Sequence, residues 1–262
     1  MENQERQVNF VTNENRFSGK ADVYAKCRPA YPEAYIDYLM AAAGLEKGAP
    51  VADIGAGTGI LTGQLLRRGW KVTAVEPNGD MRREMERRLG RCGGFTAMPG
   101  TAEATSIAAG SVVLVTAAQA FHWFDPALFR AECRRILSPA GKVALVWNNR
   151  DGDSELVRAN AEICRAFCPA FRGFSGGRMA EMPELFRNFF RGGGYEEKQF
   201  RHDLAMDETG FVGRNLSASY APRPGDPSYG EFVAAVRRLF ADHARNGRIV
   251  MPNLTRSYLG YV

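Results

Sequence analysis

Between residues 33 and 150, the apolar positions of the chain follow two alternating spacings. Short runs of consecutive apolar residues predict strands, and longer stretches with apolar residues three or four positions apart predict helices. The predicted strands span 51–54, 71–75, 95–98, 111–117 and 142–147, and the predicted helices span 33–43, 58–68, 79–89 and 126–137. Strands that are apolar on both faces and separated by helices are typical of a parallel sheet covered on both sides.

After residue 150 this rhythm breaks. The pattern predicts helices over 153–167, 181–190, 208–218 and 227–245, one long strand over 195–205 and β-prone residues over 247–262. We therefore expect an α/β fold: a Rossmann-like, doubly wound, seven-stranded, mostly parallel sheet with an antiparallel edge strand, plus N-terminal helices and a helical insertion. The expected divisions are an N-terminal helical cap (1–45, with a short helix over 18–27), a Rossmann-like core that binds the cofactor (46–150), a helical insertion or lid (151–190) and C-terminal strands and helices that complete the sheet (191–262).

Composition restricts the function classes. The chain has 45% hydrophobic and 24% charged residues, and no apolar run approaches the roughly 18 residues of a membrane span. The polar N-terminus lacks the apolar segment of a signal peptide, so we expect a cytoplasmic protein that does not contact membranes. The net charge is +5, but the basic residues are scattered, which does not indicate a nucleic-acid partner. The five cysteines include no CxxC pair, so no metal site is expected. The oligomeric state is open.

The segment VADIGAGTGIL after residue 50 is the candidate ligand-binding turn. Gly55, Gly57 and Gly59 fall between the first predicted strand and the first predicted helix of the alternation. Without side chains there, a ligand can lie against the backbone and meet the free N–H groups of the helix N-terminus. Glu76 ends the second strand, where an acid is placed to accept both hydroxyls of a ribose. This combination predicts a nucleoside cofactor.

The spacing of the glycines narrows the choice of cofactor. A dinucleotide fingerprint is GxGxxG, whereas this turn is GxGxG, with Ile60 where the third glycine belongs, and no Gly-Lys-Ser/Thr follows. With Asp53 two residues before the first glycine, the turn resembles motif I of class I S-adenosylmethionine-dependent methyltransferases.

The resemblance extends over most of the chain. VEPNGDM (75–81) is similar to the acidic strand end of this class, and GTAE (100–103) is similar to the loop that meets the adenine edge. AAQAFHWFD (117–125) and FSGKADVYAKCRPAYP (17–32) resemble a type 11 subgroup related to trans-aconitate methyltransferases. The resemblance implies S-adenosylmethionine as cofactor and S-adenosylhomocysteine as product. It implies these cofactor-binding residues: Asp53, Gly55, Ala56, Gly57, Thr58, Gly59, Glu76, Pro77, Met81, Ala102, Glu103, Gln119, Tyr24 and Arg28.

One position departs from the family pattern. The class usually carries an acid within its fourth strand, and this chain has Val113 there. The expectation is that the site loses a supporting hydrogen bond, which would weaken cofactor binding.

The acceptor side is less defined by sequence. His122 is the candidate proton acceptor, with a cofactor or substrate contact and an ordering role for the loop as alternatives. Arg28 is an alternative carboxylate clamp for the cofactor or the substrate. The candidate substrate pocket comprises Phe121, Trp123, Tyr31, Trp147 and Asn148.

These residues predict an enzyme of class EC 2.1.1.- that methylates a small-molecule carboxylate, hydroxyl or amine. A nucleic-acid methyltransferase is an alternative that lacks support, because QAFHWF stands where an (N/D)PPY motif is typical. A nicotinamide dehydrogenase is disfavoured by the glycine spacing. A non-catalytic cofactor-binding protein on the same fold remains open because of Val113.

Overall fold

The computed structural model describes residue 25, residues 28–174 and residues 182–262. The predicted helix over 18–27 and the predicted cofactor residue Tyr24 lie essentially outside this part of the chain. Nine strands and eight α-helices are found within it. The strands are β1 Pro50–Ile54, β2 Lys71–Val75, β3 Phe95–Met98, β4 Val112–Ala118, β5 Leu137–Arg150, β6 Glu196–Arg201, β7 Leu204–Met206, β8 Ile249–Met251 and β9 Asn253–Gly260. The helices are α1 Glu33–Ala43, α2 Ile60–Arg67, α3 Gly79–Leu89, α4 Pro126–Ile136, α5 Glu155–Phe167, α6 Met182–Phe189, α7 Glu208–Leu216 and α8 Tyr229–His243.

Seven strands form the main sheet in the order β3-β2-β1-β4-β5-β9-β6. Strands β1 to β5 are parallel, and the order reverses between β1 and β4. In sheets of this kind, ligands bind beyond the carboxyl ends of the strands at the point of reversal. The glycine turn after β1 and the segment after β4 meet at that point, so the predicted Rossmann-like fold is confirmed.

The reversed strand β9 lies inside the sheet, next to its edge. It pairs antiparallel with β5 on one side and with β6 on the other, so that β6 is the edge strand. The antiparallel strand of the sheet is therefore β9, one position in from the edge, beside β5. Its register sets Asn148 opposite Thr255 and Arg150 opposite Asn253.

The prediction of one strand over 195–205 is wrong. The chain forms β6, leaves the main sheet at His202 and Asp203, and then forms β7, which pairs with β8 in a separate two-stranded sheet. The two strands differ in the distant strand with which each one pairs. The local sequence does not separate them, because both halves of 195–205 are equally β-prone. Strand β5 is also longer than predicted and begins directly after α4.

The main sheet separates two apolar layers. One contains the aromatic residues of β5 and α6 together with α4, and the other packs α1, α2 and α3 against β1 and β2. A third apolar cluster joins α5, α7, α8 and the β7-β8 sheet, and we call these elements the helical lobe. The packing thus runs across the predicted 151–190 division, because α5 belongs to the helical lobe whereas α6 packs on the sheet.

Candidate functional site

The three glycines of the turn after β1 are required for two different reasons. All have positive φ, from 59° to 75°. A Cβ on Gly55 would lie 2.7 Å from the Cβ of Ala120, and a Cβ on Gly59 would lie 2.7 Å from side-chain atoms of Met85 and Leu89. A Cβ on Gly57 would meet nothing within 4 Å. Gly55 and Gly59 therefore serve packing, whereas Gly57 faces open space that a ligand can occupy.

Glu76 is the acid that shapes this turn. Its carboxylate accepts hydrogen bonds from the backbone N–H groups of Gly57 at 2.8 Å and of Asn78 at 2.9 Å. Burial raises the pKa of this carboxyl, and the two N–H donors act in the opposite direction. Each carboxylate oxygen has a second lone pair, so Glu76 can still accept hydroxyl groups of a ligand beside Gly57.

Asp53 lies under the turn rather than in the cleft. It is fully buried, and its two oxygens accept hydrogen bonds from the hydroxyls of Thr62 at 2.6 Å and Thr116 at 2.8 Å. Burial raises its pKa to about 6. Asp53 therefore links β1 to α2 and β4, which holds the glycine turn in place.

Val113 lies far from this turn. It is the second residue of β4, which ends at Ala118, and five residues of strand span roughly 16 Å. Its side chain packs beside the apolar layer that contains α1 and α2. Val113 is therefore too far from the glycine turn for the expected loss of a hydrogen bond at the cofactor site.

The remaining predicted residues of the turn and of the β2 end surround Glu76 and Gly57. The backbone N–H of Ala56 donates to Val75, Pro77 follows Glu76, and Met81 is buried on the first turn of α3. The hydroxyl of Thr58 is buried and has no hydrogen-bond partner among the described residues. The N-cap residue of α2 is Gly59, which has no side chain to accept a hydrogen bond from the first N–H groups of the helix.

The loop after β3 is held against the segment after β4. Ala102 is buried, and the Glu103 carboxylate accepts a hydrogen bond from the backbone N–H of Asp125 at 2.9 Å. Behind it, Glu132 accepts hydrogen bonds from Thr105 and Arg135. The Arg135 guanidinium, followed by the Thr105 donors, lowers the pKa of Glu132 to about 2. These contacts fix the loop at the same sheet edge as Glu76.

Gln119 directly follows β4 and has a backbone conformation that few residues with side chains adopt. Its φ is 58°, and its backbone N–H donates to Val146 at 2.8 Å while its amide donates to the carbonyl of Asn148 at 3.1 Å. Left-handed backbone at a non-glycine residue is concentrated at functional sites. The two bonds fix the start of the segment that carries His122.

His122 and Trp123 lie in a short 3-10 helix at this edge. Both side chains are half-buried, and their ring centroids are 4.6 Å apart. This position is compatible with all three roles considered for His122: proton acceptor, contact of the cofactor or substrate, and ordering of the loop.

Three of the predicted pocket residues are core residues instead. Phe121 and Trp147 are each 1% exposed and pack with Phe186 of α6. Tyr31 is buried in the opposite layer, where its backbone N–H and carbonyl both bond the amide of Gln64. The pocket prediction is corrected for these residues, because helix α6 and the sheet cover Phe121 and Trp147, and Tyr31 packs against Tyr35 of α1.

Asn148 and Arg28 connect the sheet edge to neighbouring segments. The Asn148 side chain donates to the carbonyl of Ala30 at 3.2 Å and accepts from Thr255. Arg28 donates to the carbonyl of Ser217, at the end of α7, at 3.3 Å. Arg28 therefore reaches the helical lobe rather than the glycine turn.

The sequence did not single out Arg150 or Tyr220, and the structure brings them together. Arg150 ends β5, two residues after Asn148, and its guanidinium carbon lies 3.8 Å from the ring centroid of Phe174. The only feature of the sequence that could have indicated these two residues is the position of Arg150 at the carboxyl end of a strand.

Within the described part of the chain, no helix is long and apolar enough to cross a membrane. The same residues contain no group of three or more His, Cys, Asp and Glu side chains that could hold a metal ion.

Comparisons with known proteins agree with this geometry. Residues 52–145 match the sequence model of a family described as a methyltransferase domain. Over 147 residues the chain is 41% identical to an uncharacterized methyltransferase of Mycobacterium tuberculosis, which covers 56% of this chain and 58% of that relative. The chain thus spans less than two thirds of the relative's length.

Two solved structures show the same fold. A protein of Anaeromyxobacter dehalogenans named as a type II methyltransferase has a TM-score of 0.62 at 23% identity, over 89% of this chain and 97% of that one. An S-adenosylmethionine-dependent methyltransferase of Geobacter sulfurreducens, solved with S-adenosyl-L-homocysteine, has a TM-score of 0.54 at 17% identity, over 94% and 98%.

Proposed function

We propose that this chain contains a class I S-adenosylmethionine-dependent methyltransferase domain and transfers a methyl group from that cofactor to a small-molecule acceptor, which the match of residues 52–145 to a methyltransferase domain supports. The observation that carries the proposal is the pairing of Glu76 with Gly57. A buried carboxylate at the end of β2 accepts the Gly57 N–H, and the Cβ position of that glycine faces open space.

The residues at the turn fit the cofactor. Glu76 keeps acceptor capacity for two ribose hydroxyls, and the uncapped N-terminus of α2 offers N–H groups to a carboxylate. The buried Thr58 hydroxyl, which lacks a partner among the described residues, is a further polar group for a ligand to satisfy. Ala102 and Glu103 are the proposed neighbours of the adenine, and Gln119 is the proposed contact of the amino-acid end.

When bound, S-adenosylmethionine supplies a methyl group activated by its sulfonium. The main task of the chain is then to hold the acceptor in line with that methyl. A carboxylate acceptor needs no base at neutral pH, whereas a hydroxyl or an amine loses a proton. His122, in the segment fixed by Gln119, is the proposed proton acceptor for such groups. Likeness to trans-aconitate methyltransferases remains a prediction from the sequence motifs.

Calorimetric titration with S-adenosylhomocysteine and, separately, with NADH tests the proposal. Glu76→Gln is expected to weaken S-adenosylhomocysteine binding by about 1–3 kcal/mol, because charged hydrogen bonds to the ligand are lost. Glu86→Gln, at an exposed carboxylate on α3, is the matched control and is expected to bind normally.

Two results would contradict the proposal. Binding of NADH alone would indicate a dinucleotide site, and binding of neither ligand would indicate a scaffold without the cofactor. Urea unfolding checks that Glu76→Gln is as stable as the wild-type protein. If such a stable variant binds S-adenosylhomocysteine with wild-type affinity, Glu76 is not part of the ligand site.

A further inference from the structure

At the carboxyl end of β5, Arg150 meets polar side chains from other segments of the chain. Arg150 extends from the strand end toward the helical lobe, where it hydrogen-bonds Tyr220 and stacks on Phe174. Phe171 packs between Phe174 and Tyr220, with ring centroids 5.2 Å and 4.9 Å away. We call Arg28, Arg150, Cys164 and Tyr220 the Arg150 cluster.

The Arg150 cluster is electropositive. Both Arg28 and Arg150 act electrostatically on the Tyr220 hydroxyl, and Arg150 also acts on the Cys164 thiol. A hydrogen bond from Cys168 is the main cause of the lowered pKa of Cys164, and Arg150 adds to it. Among the described residues, no carboxylate forms an ion pair with Arg150.

Polar atoms at this junction also lack hydrogen bonds. The Nε of Arg150 is buried and makes no hydrogen bond within the described residues. Asn160, one helical turn before Cys164 on the same face of α5, is fully buried, and neither of its amide atoms has a partner there. Buried polar groups without partners are rare in folded proteins and call for an explanation such as a ligand.

The position of the Arg150 cluster separates it from the ribose end of the cofactor site. Strand β5 is three strands away from β2, which carries Glu76, and three strand spacings are about 14 Å. The amide of Gln119 bonds the carbonyl of Asn148, two residues before Arg150. The cluster therefore begins on the β5 side of the point where the acceptor has to meet the methyl group.

We propose that the Arg150 cluster binds a carboxylate of the methyl acceptor. This inference rests on the proposed function and names its substrate class. The guanidinium fork of Arg150 matches the two oxygens of a carboxylate, and the negative charge of that carboxylate balances the positive charge of Arg150. The aromatic rings of Phe171 and Phe174 beside Arg150 favour an apolar body attached to the anion.

The test uses full-length protein saturated with S-adenosylhomocysteine. Calorimetry then measures binding of three matched probe pairs: benzoate and benzamide, hexanoate and hexanamide, succinate and succinamide. We expect carboxylates to bind more tightly than their amides, and Arg150→Gln to weaken carboxylate binding at least tenfold. Arg237→Gln is the control, because this exposed arginine of the helical lobe pairs with Glu208 on the surface. Arg150→Lys is expected to restore binding only in part, since an ammonium lacks the fork.

A second pair of probes separates the acceptor from the cofactor. S-adenosylhomocysteine carries an amino-acid carboxylate, and methylthioadenosine does not. Unchanged affinities of Arg150→Gln for both support the proposal. A loss confined to S-adenosylhomocysteine would assign Arg150 to the cofactor and overturn it.

Further outcomes would also overturn the inference. These are equal binding of acids and amides, wild-type carboxylate binding in Arg150→Gln, and tighter binding of inorganic phosphate than of any carboxylate. Failure of wild-type protein to bind S-adenosylhomocysteine would instead contradict the proposed function, so the two failures are distinguishable.

Discussion

Replacing each glycine of the turn after β1 with alanine distinguishes the glycines needed for packing from the glycine that a ligand approaches. Gly55, Gly57 and Gly59 all have positive φ, so each substitution adds left-handed strain of about 1–2 kcal/mol. Gly57→Ala adds nothing more, because its Cβ meets no atom within 4 Å. Gly55→Ala also places its Cβ 2.7 Å from the Cβ of Ala120, which cannot rotate away. Overpacking of this kind costs about 1–3 kcal/mol.

Gly59→Ala is expected to fall between these two. Its Cβ would lie 2.7 Å from Leu89 Cδ1 and Met85 Cγ. Side chains of this kind can shift at lower cost than a Cβ fixed to the backbone. Urea unfolding should therefore rank the losses as Gly55→Ala, then Gly59→Ala, then Gly57→Ala.

Ligand binding should give a different order. Gly57→Ala is expected to lose S-adenosylhomocysteine affinity well beyond its small loss of stability, because the new methyl group occupies the ligand's space. Gly110→Ala is the matched control: its φ is 62°, its Cβ position is equally open, and it precedes β4 at the opposite edge of the sheet. It should lose about the same stability as Gly57→Ala and bind normally. Normal binding by Gly57→Ala, or stability as low as that of Gly55→Ala, would refute the reasoning.

Two further predictions concern Asp53 and His122. Because the pKa of Asp53 is raised by burial from 3.8 to about 6, its protonated form favours the fold, and this contribution is complete below pH 4 and lost as pH rises through 6. With about 1.4 kcal/mol per pKa unit, this shift contributes roughly 3 kcal/mol to the unfolding free energy. The unfolding free energy of Asp53→Asn, measured in urea between pH 4 and 7, should lack the resulting decrease with pH. The same decrease as in the wild-type protein would contradict the assignment. His122→Gln should lower the turnover of a hydroxyl or amine acceptor more than S-adenosylhomocysteine affinity in calorimetry, and the reverse result would make His122 a binding residue.

The sequence predicted best where an element carries its own end signals. The bounds of β2, α3 and β3 match the predicted 71–75, 79–89 and 95–98. Asn78 caps α3 by accepting the N–H groups of Asp80 and Met81, which is a local interaction that sequence reveals. The glycine turn and Glu76 were predicted for the same reason, because both lie within one continuous strand-helix-strand unit, from β1 to the end of β2.

The predictions were wrong where contacts with segments distant in the sequence determine the structure. Nothing near Phe121 or Trp147 distinguishes a pocket wall from a core residue, and the contacts that bury them come from Phe186 on α6. The division of 195–205 into two strands depends on β9 and β8 in the same way. Arg150 and Tyr220 are 70 positions apart, and they meet only because the helical lobe packs over the end of β5.

Asn148 connects the segment that carries His122 to the Arg150 cluster. Gln119 holds its strained backbone by bonding Val146 and the carbonyl of Asn148, and strain of this kind costs about 1–3 kcal/mol unless its surroundings maintain it. The Asn148 side chain bonds Ala30 and Thr255, and Arg150 follows two residues later. Strand β5 therefore sets the segment of His122 and the Arg150 cluster from one short stretch of backbone. The sheet itself thus sets the position of Arg150 relative to the segment of His122, whereas the helical lobe supplies Cys164, Tyr220 and the aromatic rings of the proposed acceptor site.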